Sequence, residues 1–264
     1  MPILLKPVKV GVDFAVTLFM WVYFIFGFLL FFFPFYLLSF VFSKNREISF
    51  QKLNNRFFRM FMNLTRLVTP GLKMKIDDKA RSIRSSVIIC NHLSYLDPLL
   101  FVSIFEKQKT IVKNTFFSVP FFKWFLKVSG YIPSVAEGNS LPLVIKYVME
   151  LNDYFNRGGN LFVFPEGTRS RDGRLNSFNK GAFRIAEKSR APLKIVYIRN
   201  TNRLFTPGKF FFNTCISNSI EIEYLATLEP DYDSGTYSQS ETMTEARLIL
   251  EERLSREHDK WADV

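Results

Sequence analysis

Ser86-Val87-Ile88-Ile89-Cys90-Asn91-His92-Leu93-Ser94-Tyr95-Leu96-Asp97-Pro98 is the stretch whose reading decides the fold. Its first five residues form an uncharged, largely apolar run of the kind found in a buried strand. A polar turn carrying His92 follows. Asp is a good N-cap and Pro a good first helical residue, so Asp97-Pro98 predicts a helix from Pro98 through Phe105 with Asp97 as its cap. About seventy residues on, a second apolar run, Leu161 to Phe164, ends in Pro165-Glu166-Gly167-Thr168-Arg169-Ser170. Two strands that each end in a turn-rich polar segment predict functional groups gathered on one edge of a sheet.

The His92–Asp97 spacing narrows the chemistry. On a straight helix, positions i and i+5 lie about 140° apart and share no face, so any pairing needs a turn between them. In that arrangement Asp97 accepts a hydrogen bond from one His92 nitrogen, and the other nitrogen can take a proton from a hydroxyl. Spacing alone leaves a second reading open, in which the histidine and a capping aspartate only organise a turn.

Outward from this stretch the chain alternates. Strands are expected at Leu72–Ile76, Thr110–Val112, Leu193–Ile198 and Ile220–Leu225, in addition to the two runs above. Helical patterns fall at 120–128, 141–155, 180–188 and 242–257. The alternation predicts an α/β fold, with a mixed, largely parallel sheet flanked by helices. Residues 230–241, rich in Ser, Asp and Tyr, read as a surface loop, and His258 as a solvated residue of a peripheral last helix.

The N-terminal part differs. Phe14 to Phe42 carries no charge and exceeds the ~20 residues needed to span a bilayer. Pro34 is expected to kink or divide it, leaving a kinked span and a re-entrant hairpin both open. Next, Phe50, Leu53, Phe57, Met60, Phe61, Leu64 and Leu67 recur at helical spacing among Lys44, Arg46, Lys52, Arg56, Arg59 and Arg66. Such a helix can lie in the headgroup layer, cover a catalytic core, or do both. The expected organisation is therefore residues 1–70 as a hydrophobic helical membrane anchor with a basic amphipathic helix, and residues 71–264 as one catalytic domain.

The formal charge of +11 favours an anionic partner, either nucleic acid or a membrane surface. The 31 phenylalanines concentrate toward the N-terminus and are not interleaved with basic residues, which favours membrane lipids and argues against nucleic acid. Cys90 and Cys215 offer neither metal spacing nor a disulfide framework, and both are expected to be buried strand thiols of a reducing compartment. With two histidines the chain cannot furnish an HD-type metal site, and no metal is expected. No serine stands in a Gly-x-Ser-x-Gly elbow, so no serine nucleophile of that type is expected.

His92-x4-Asp97 followed by Phe164-Pro165-Glu166-Gly167-Thr168-Arg169-Ser170 resembles the glycerolipid acyltransferase family, whose best-known members are lysophosphatidate acyltransferases. Lys113, at the head of Lys-Asn-Thr-Phe-Phe-Ser-Val-Pro-Phe-Phe, is similar to the family's lysine-led segment. Ser177-Phe178-Asn179-Lys180-Gly181 is similar to the segment that follows its third motif. The resemblance spans roughly residues 85–200. It implies acyl transfer from acyl-CoA or acyl carrier protein, with no further cofactor, to the hydroxyl of a lysophospholipid in phospholipid biosynthesis, and a catalytic domain on the cytosolic face of a membrane. His92 would be the general base, and Asp97 would fix its tautomer and stabilise the imidazolium. The turn at Glu166, Gly167, Thr168 and Arg169, with Lys113, would hold the acceptor's phosphate through backbone N–H groups and cationic side chains. Glu166 has a structural alternative, holding the turn through backbone groups.

Two departures stand out. Many members continue their second motif into aspartate–arginine, where this chain has Gly130-Tyr131-Ile132-Pro133-Ser134-Val135-Ala136. The fourth motif keeps only its early proline, Pro192, with Ile195 about where the second is expected. The first departure keeps open an acceptor without a phosphate monoester, such as a lysophosphodiester or lyso-aminolipid. A non-enzymatic lipid-binding relative is a third reading, against which the intact His92–Asp97 pair argues.

Overall fold

A computed structural model of the chain describes residues 6–134 and 141–262. The strands described are β1 (Leu72–Ile76), β2 (Ser86–Cys90), β3 (Gln108–Val112), β4 (Ile132–Pro133), β5 (Asn160–Val163), β6 (Leu193–Arg199) and β7 (Asn218–Leu228). Among the described residues they form one sheet in the order β1-β7-β6-β2-β5-β3-β4. The pairs β6–β2, β2–β5, β5–β3 and β3–β4 are parallel. The α/β class and the largely parallel sheet are as the alternation predicts. The strands at Leu72–Ile76 and Ser86–Cys90 have the expected bounds.

The chain divides into two compact units. The first comprises the chain up to Ile76, Leu93–Glu106 and Ile198–Glu221, and the second comprises Asp77–His92, Lys107–Tyr197 and the chain from Ile222.

The first unit is built on a helical hairpin. One continuous helix runs from Lys6 to Phe42, as α1 (Lys6–Val22), a stretch of wider π-helical turns (Tyr23–Phe32) and α2 (Phe33–Phe42). It is long and apolar enough to cross a membrane. Pro34 does not divide it. The residue sits in the first turn of α2, just past the π-helical stretch, so the helix passes the proline where its hydrogen-bond register already departs from i→i−4. After Ser43 the chain reverses into α3 (Arg46–Val68), capped by Asn45, whose side chain accepts from the Ile48 N–H at 3.0 Å.

Aromatic contacts descend the hairpin in antiparallel order. Tyr36 meets Phe50 at 5.0 Å, Phe32 meets Phe57 at 5.1 Å, and Tyr23 stacks on Phe57 at 5.5 Å and meets Phe61 at 6.2 Å. The Tyr36 hydroxyl donates to Asn54 Oδ1 at 2.6 Å. Phe57 is buried among these rings, and truncating a phenylalanine so placed typically costs ~3–5 kcal/mol.

The opposite side of α3 meets α5 (Leu96–Ile104). Asn55 Nδ2 donates to the carbonyls of Val102 and Ser103, both at 2.9 Å, and so satisfies groups that a helix C-terminus leaves without partners. Of the roles open to the amphipathic helix, packing is therefore realised along its apolar stripe, while Met60 and Leu67 stay exposed. At its start, α1 is pinned by polar groups. Asp13 accepts from the Thr214 N–H (2.8 Å) and hydroxyl (2.7 Å), Lys9 pairs with Asp13, and Thr17 accepts from the Phe212 N–H at 2.9 Å.

The second unit holds the centre of the sheet. All five residues of β2 and all four of β5 are buried, as continuous apolar runs in a parallel sheet require. Around them lie α4 (Asp78–Ser82), α6 (Pro120–Val128), α7 (Leu141–Asn156), α8 (Gly181–Ser189) and α10 (Gln239–Ala262), with α8 packed on β2. A short helix, α9 (Thr201–Leu204), lies in the first unit.

Two expectations are overturned. The helix after His92 begins at Leu96 with Tyr95 at its cap, so Asp97 is inside the first turn and is not the N-cap. Its carboxylate folds back to serve the preceding turn, a use that offers it two N–H donors. Cys90 is buried in β2, but Cys215 is exposed and precedes β7. The apolar neighbourhood of Cys215 in sequence belongs to a loop that docks on α1, and not to a strand. Ala136 and the side chain of His258, on which two further expectations bear, lie outside the described residues.

Candidate active site

In the second unit, β2, β5 and β3 are parallel, so their C-terminal ends share one edge. Ile89 is level with Val163 and Thr110 with Phe162. Continuing these registers places His92, the Phe164–Pro165 turn and Lys113 at that edge. The sheet thereby assembles residues that are more than seventy positions apart in the chain. Lys113 is exposed and immediately follows β3, and its carbonyl accepts from the Phe116 N–H at 3.0 Å.

His92 is held from three directions. Its backbone N–H donates to Glu166 Oε1 at 2.9 Å, and its carbonyl accepts from the Ser170 N–H at 2.8 Å. Its ring stacks on Phe164, with centroids 4.3 Å apart and planes inclined by 20°. The turn that follows β5 therefore grips the histidine at both of its backbone polar groups and fixes the plane of its imidazole.

Glu166 links this grip to the rest of the loop. Its other oxygen, Oε2, accepts from the Asn176 backbone N–H (2.9 Å) and side-chain amide (3.0 Å). Burial pushes its carboxyl above the ordinary value of 4.5, while the N–H groups of Asn176 and His92 hold it down; the net shift is upward. Glu166 thus ties the His92 backbone to the loop.

Gly167 takes a positive φ of +67°, and a Cβ there would approach Asn179 Nδ2 to 2.9 Å. Its N–H donates to the Phe164 carbonyl at 3.0 Å, so it is committed to the turn and is not among the donors an anion could use. Asn179 braces the same turn, its backbone N–H (2.8 Å) and amide (3.0 Å) both donating to the Pro165 carbonyl. Thr168 is exposed and Arg169 half-buried.

The sequence reading missed two residues that hold this loop. Asn176 carries no signal in a Ser/Asp/Gly-rich loop until its contact with Glu166 is seen. Arg247, on α10, donates to the carbonyls of Asn176 (3.0 Å) and Leu175 (3.4 Å) and lies 5.6 Å over the Phe178 ring. Seventy residues separate it from the loop in sequence, and nothing local marks it.

Asp97 belongs to the first unit. It is fully buried, and Oδ2 accepts from the N–H groups of Leu93 (2.6 Å) and Ser94 (2.7 Å). Ser94 in turn donates from its hydroxyl to the Phe205 carbonyl at 2.8 Å. The aspartate thus organises the chain immediately after His92, where two N–H groups converge on one carboxylate oxygen.

Comparison with known proteins bears on this arrangement. Residues 71–199 match the sequence family described as Acyltransferase, an interval containing both His92–Asp97 and the Glu166 turn. A chloroplastic 1-acyl-sn-glycerol-3-phosphate acyltransferase of Brassica napus is 36% identical over 123 residues, covering 46% of this chain and 35% of the relative. The 1-acyl-sn-glycerol-3-phosphate acyltransferase of Saccharomyces cerevisiae is 30% identical over 161 residues, covering 59% of this chain and 52% of the relative. The matched segments thus span about a third to a half of these relatives' length. In structure, the chain is similar to a 1-acyl-sn-glycerophosphate acyltransferase of Thermotoga maritima, with a TM-score of 0.67 over 92% of this chain and 96% of that one. At 20% identity this last likeness concerns the fold alone.

Proposed function

We propose that the protein is a glycerolipid acyltransferase that acylates the free hydroxyl of 1-acylglycerol 3-phosphate to give phosphatidic acid, a reading supported by the match of residues 71–199 to the Acyltransferase family. The observation that carries the reading is the fixing of His92 at the C-terminal edge of the sheet by the very turn, Glu166 to Ser170, that is similar to the family's third motif.

His92 acts as general base. As the acceptor hydroxyl attacks the thioester carbonyl, its proton passes to the imidazole, the tetrahedral intermediate collapses, and the thiolate leaves and recovers that proton. Asp97 supplies the negative charge that favours the imidazolium and the tautomer that precedes it. Arg169 and Lys113 are the cationic groups for the acceptor's phosphate, and guanidinium suits bidentate phosphate recognition. Thr168 and Gly167 shape the turn that presents Arg169. The donor is acyl-CoA or acyl carrier protein, and no other cofactor takes part. The catalytic domain works on the cytosolic face of a membrane, a reading supported by the Lys6–Phe42 helix, which is long and apolar enough to cross one.

The test is an acceptor panel with purified protein in lipid, read by mass spectrometry, comparing lysophosphatidate, lysophosphodiesters and lyso-aminolipids with both donors. Lysophosphatidate is expected to be the preferred acceptor. Ala136, where many members have arginine, favours the second reading of an acceptor without a phosphate monoester. Ala136→Arg separates the two. It is neutral or helpful if lysophosphatidate is the natural acceptor, and it depresses the native reaction if the acceptor is a lysophosphodiester.

A further inference from the structure

The segment from Asn114 to Val128, in the second unit, turns its rings in two directions. Phe117 and Leu126 point inward and cluster with Tyr131, each less than 10% exposed. Phe116, Val119, Phe121 and Phe122 point outward at 48, 45, 42 and 46% exposure. The outward rings group together: Phe116 meets Phe122 edge-on at 6.3 Å, and Phe121 meets Phe122 at 5.9 Å. Four large apolar side chains exposed within seven residues form a contiguous patch and not scattered surface positions.

The charge around the patch has one sign. No Asp or Glu occurs between Lys107 and Ala136, while Lys113, Lys123 and Lys127 are exposed beside the rings. Trp124, half-buried on the same helix, is of the residue type enriched at membrane–water interfaces.

We propose that the outward face of Asn114–Val128 is a second membrane contact, carried by the unit that bears His92 and seated in an anionic bilayer surface. Phenylalanine with flanking lysine and no acid is the pattern of an interfacial element, whose rings enter the acyl boundary while the ammonium groups remain at the headgroups. A protein partner fits less well, because protein interfaces are depleted of lysine. The juxtamembrane field of anionic lipid, by contrast, attracts each lysine. The position in the fold agrees. The segment begins at the C-terminal end of β3, at the edge where His92 and the Glu166 turn emerge. That edge would therefore face the lipid, apart from any attachment made by the N-terminal helix. The inference stands on exposure and charge and does not depend on acyl transfer.

The test uses the full-length chain with Cys215→Ser, Cys90 being buried. A nitroxide is attached at Phe122→Cys or, as control, at Lys188→Cys, an exposed position near the C-terminal end of α8, which leads into the start of β6 at the opposite edge. Accessibility to oxygen and to a water-soluble nickel chelate is measured by power saturation on vesicles of phosphatidylcholine and phosphatidylglycerol at a 3:1 ratio. On vesicle binding, the label at 122 is expected to gain oxygen accessibility and lose several-fold in nickel accessibility, with position 188 unchanged. In the Lys123→Glu/Lys127→Glu background that immersion should be lost while the N-terminal helix keeps the protein bound. Equal nickel access at 122 and 188 on bound protein would overturn the proposal. So would dipolar broadening between labels at 122, which would mean that a second copy covers the face. Equal immersion in pure phosphatidylcholine, or in the double glutamate variant, would overturn the anionic partner.

Discussion

In the proposed reading His92 carries the chemistry, and Glu166, which accepts from the His92 N–H, places it. In the proposed mechanism the imidazole of His92 takes the proton of the acceptor hydroxyl. His92→Ala is expected to lower acyl transfer by ~10²–10⁴-fold with folding intact, and Asp97→Asn by a smaller factor, measured as kcat on membrane-reconstituted protein. Wild-type turnover by a folded His92→Ala protein would remove the general-base assignment. Glu166 makes its contribution through the backbone, and its raised pKa has a thermodynamic consequence. A carboxyl whose pKa is higher folded than unfolded binds its proton more tightly in the folded state. Its stabilising contribution is therefore present below the unfolded value and is lost as pH rises through the folded one. In urea unfolding at a series of pH values, wild type should lose stability relative to Glu166→Gln as pH rises from about 4.5. A constant difference across that range would show that burial does not govern this carboxylate. The histidine and the Glu166 turn were legible in the sequence because each is a local cluster of unusual residues at a strand end. The direct bond from Glu166 to the His92 N–H was not, because it joins two strand ends that only sheet register brings level.

At the scale of elements, α10 bears on the loop that grips His92. Arg247 donates to the Leu175 and Asn176 carbonyls, Asn176 donates to Glu166, and Glu166 accepts from the His92 N–H. A helix that reads from sequence as charged and peripheral therefore braces the site. Arg247→Ala is expected to lower kcat/KM by roughly 2- to 10-fold, the loss of a hydrogen bond worth ~0.5–1.5 kcal/mol. The loss should fall mainly on kcat if loop placement is the role, and steady-state kinetics on both substrates reads the split. An effect confined to acceptor KM would instead make Arg247 part of the headgroup site. Helix α3 shows the same limit of sequence reading. Its apolar period announces a helix with one buried stripe, yet hairpin packing against Tyr23–Tyr36 and capping of α5 by Asn55 follow from neighbours that periodicity cannot name.

For the whole molecule, attachment to lipid is expected to rest on apolar area more than on charge. The Lys6–Phe42 helix exposes Phe26, Leu30, Phe31, Phe35 and Phe42 among many others, while its other face packs on α3. Salt screens the lysines and arginines but leaves the hydrophobic contribution intact. The full-length protein is therefore expected to sediment with membranes after a high-salt wash, and release by salt alone would show that the basic surface is the main anchor. The sequence by itself determined the α/β class, the membrane-length apolar helix, and the two motif-bearing turns. These depend on hydrophobic period, on run length and on turn residues, all of which are local. Only the tertiary structure decided that Pro34 sits within a continuous helix, that Asp97 folds back on its own turn instead of capping, that Cys215 is exposed, and that Asn176 and Arg247 support the histidine. The Asp97 bonds are local but turn on a backbone geometry that residue preferences do not specify, and the support from Asn176 and Arg247 is offered from elsewhere in the chain, where such a partner exists only once the strands and helices have come together.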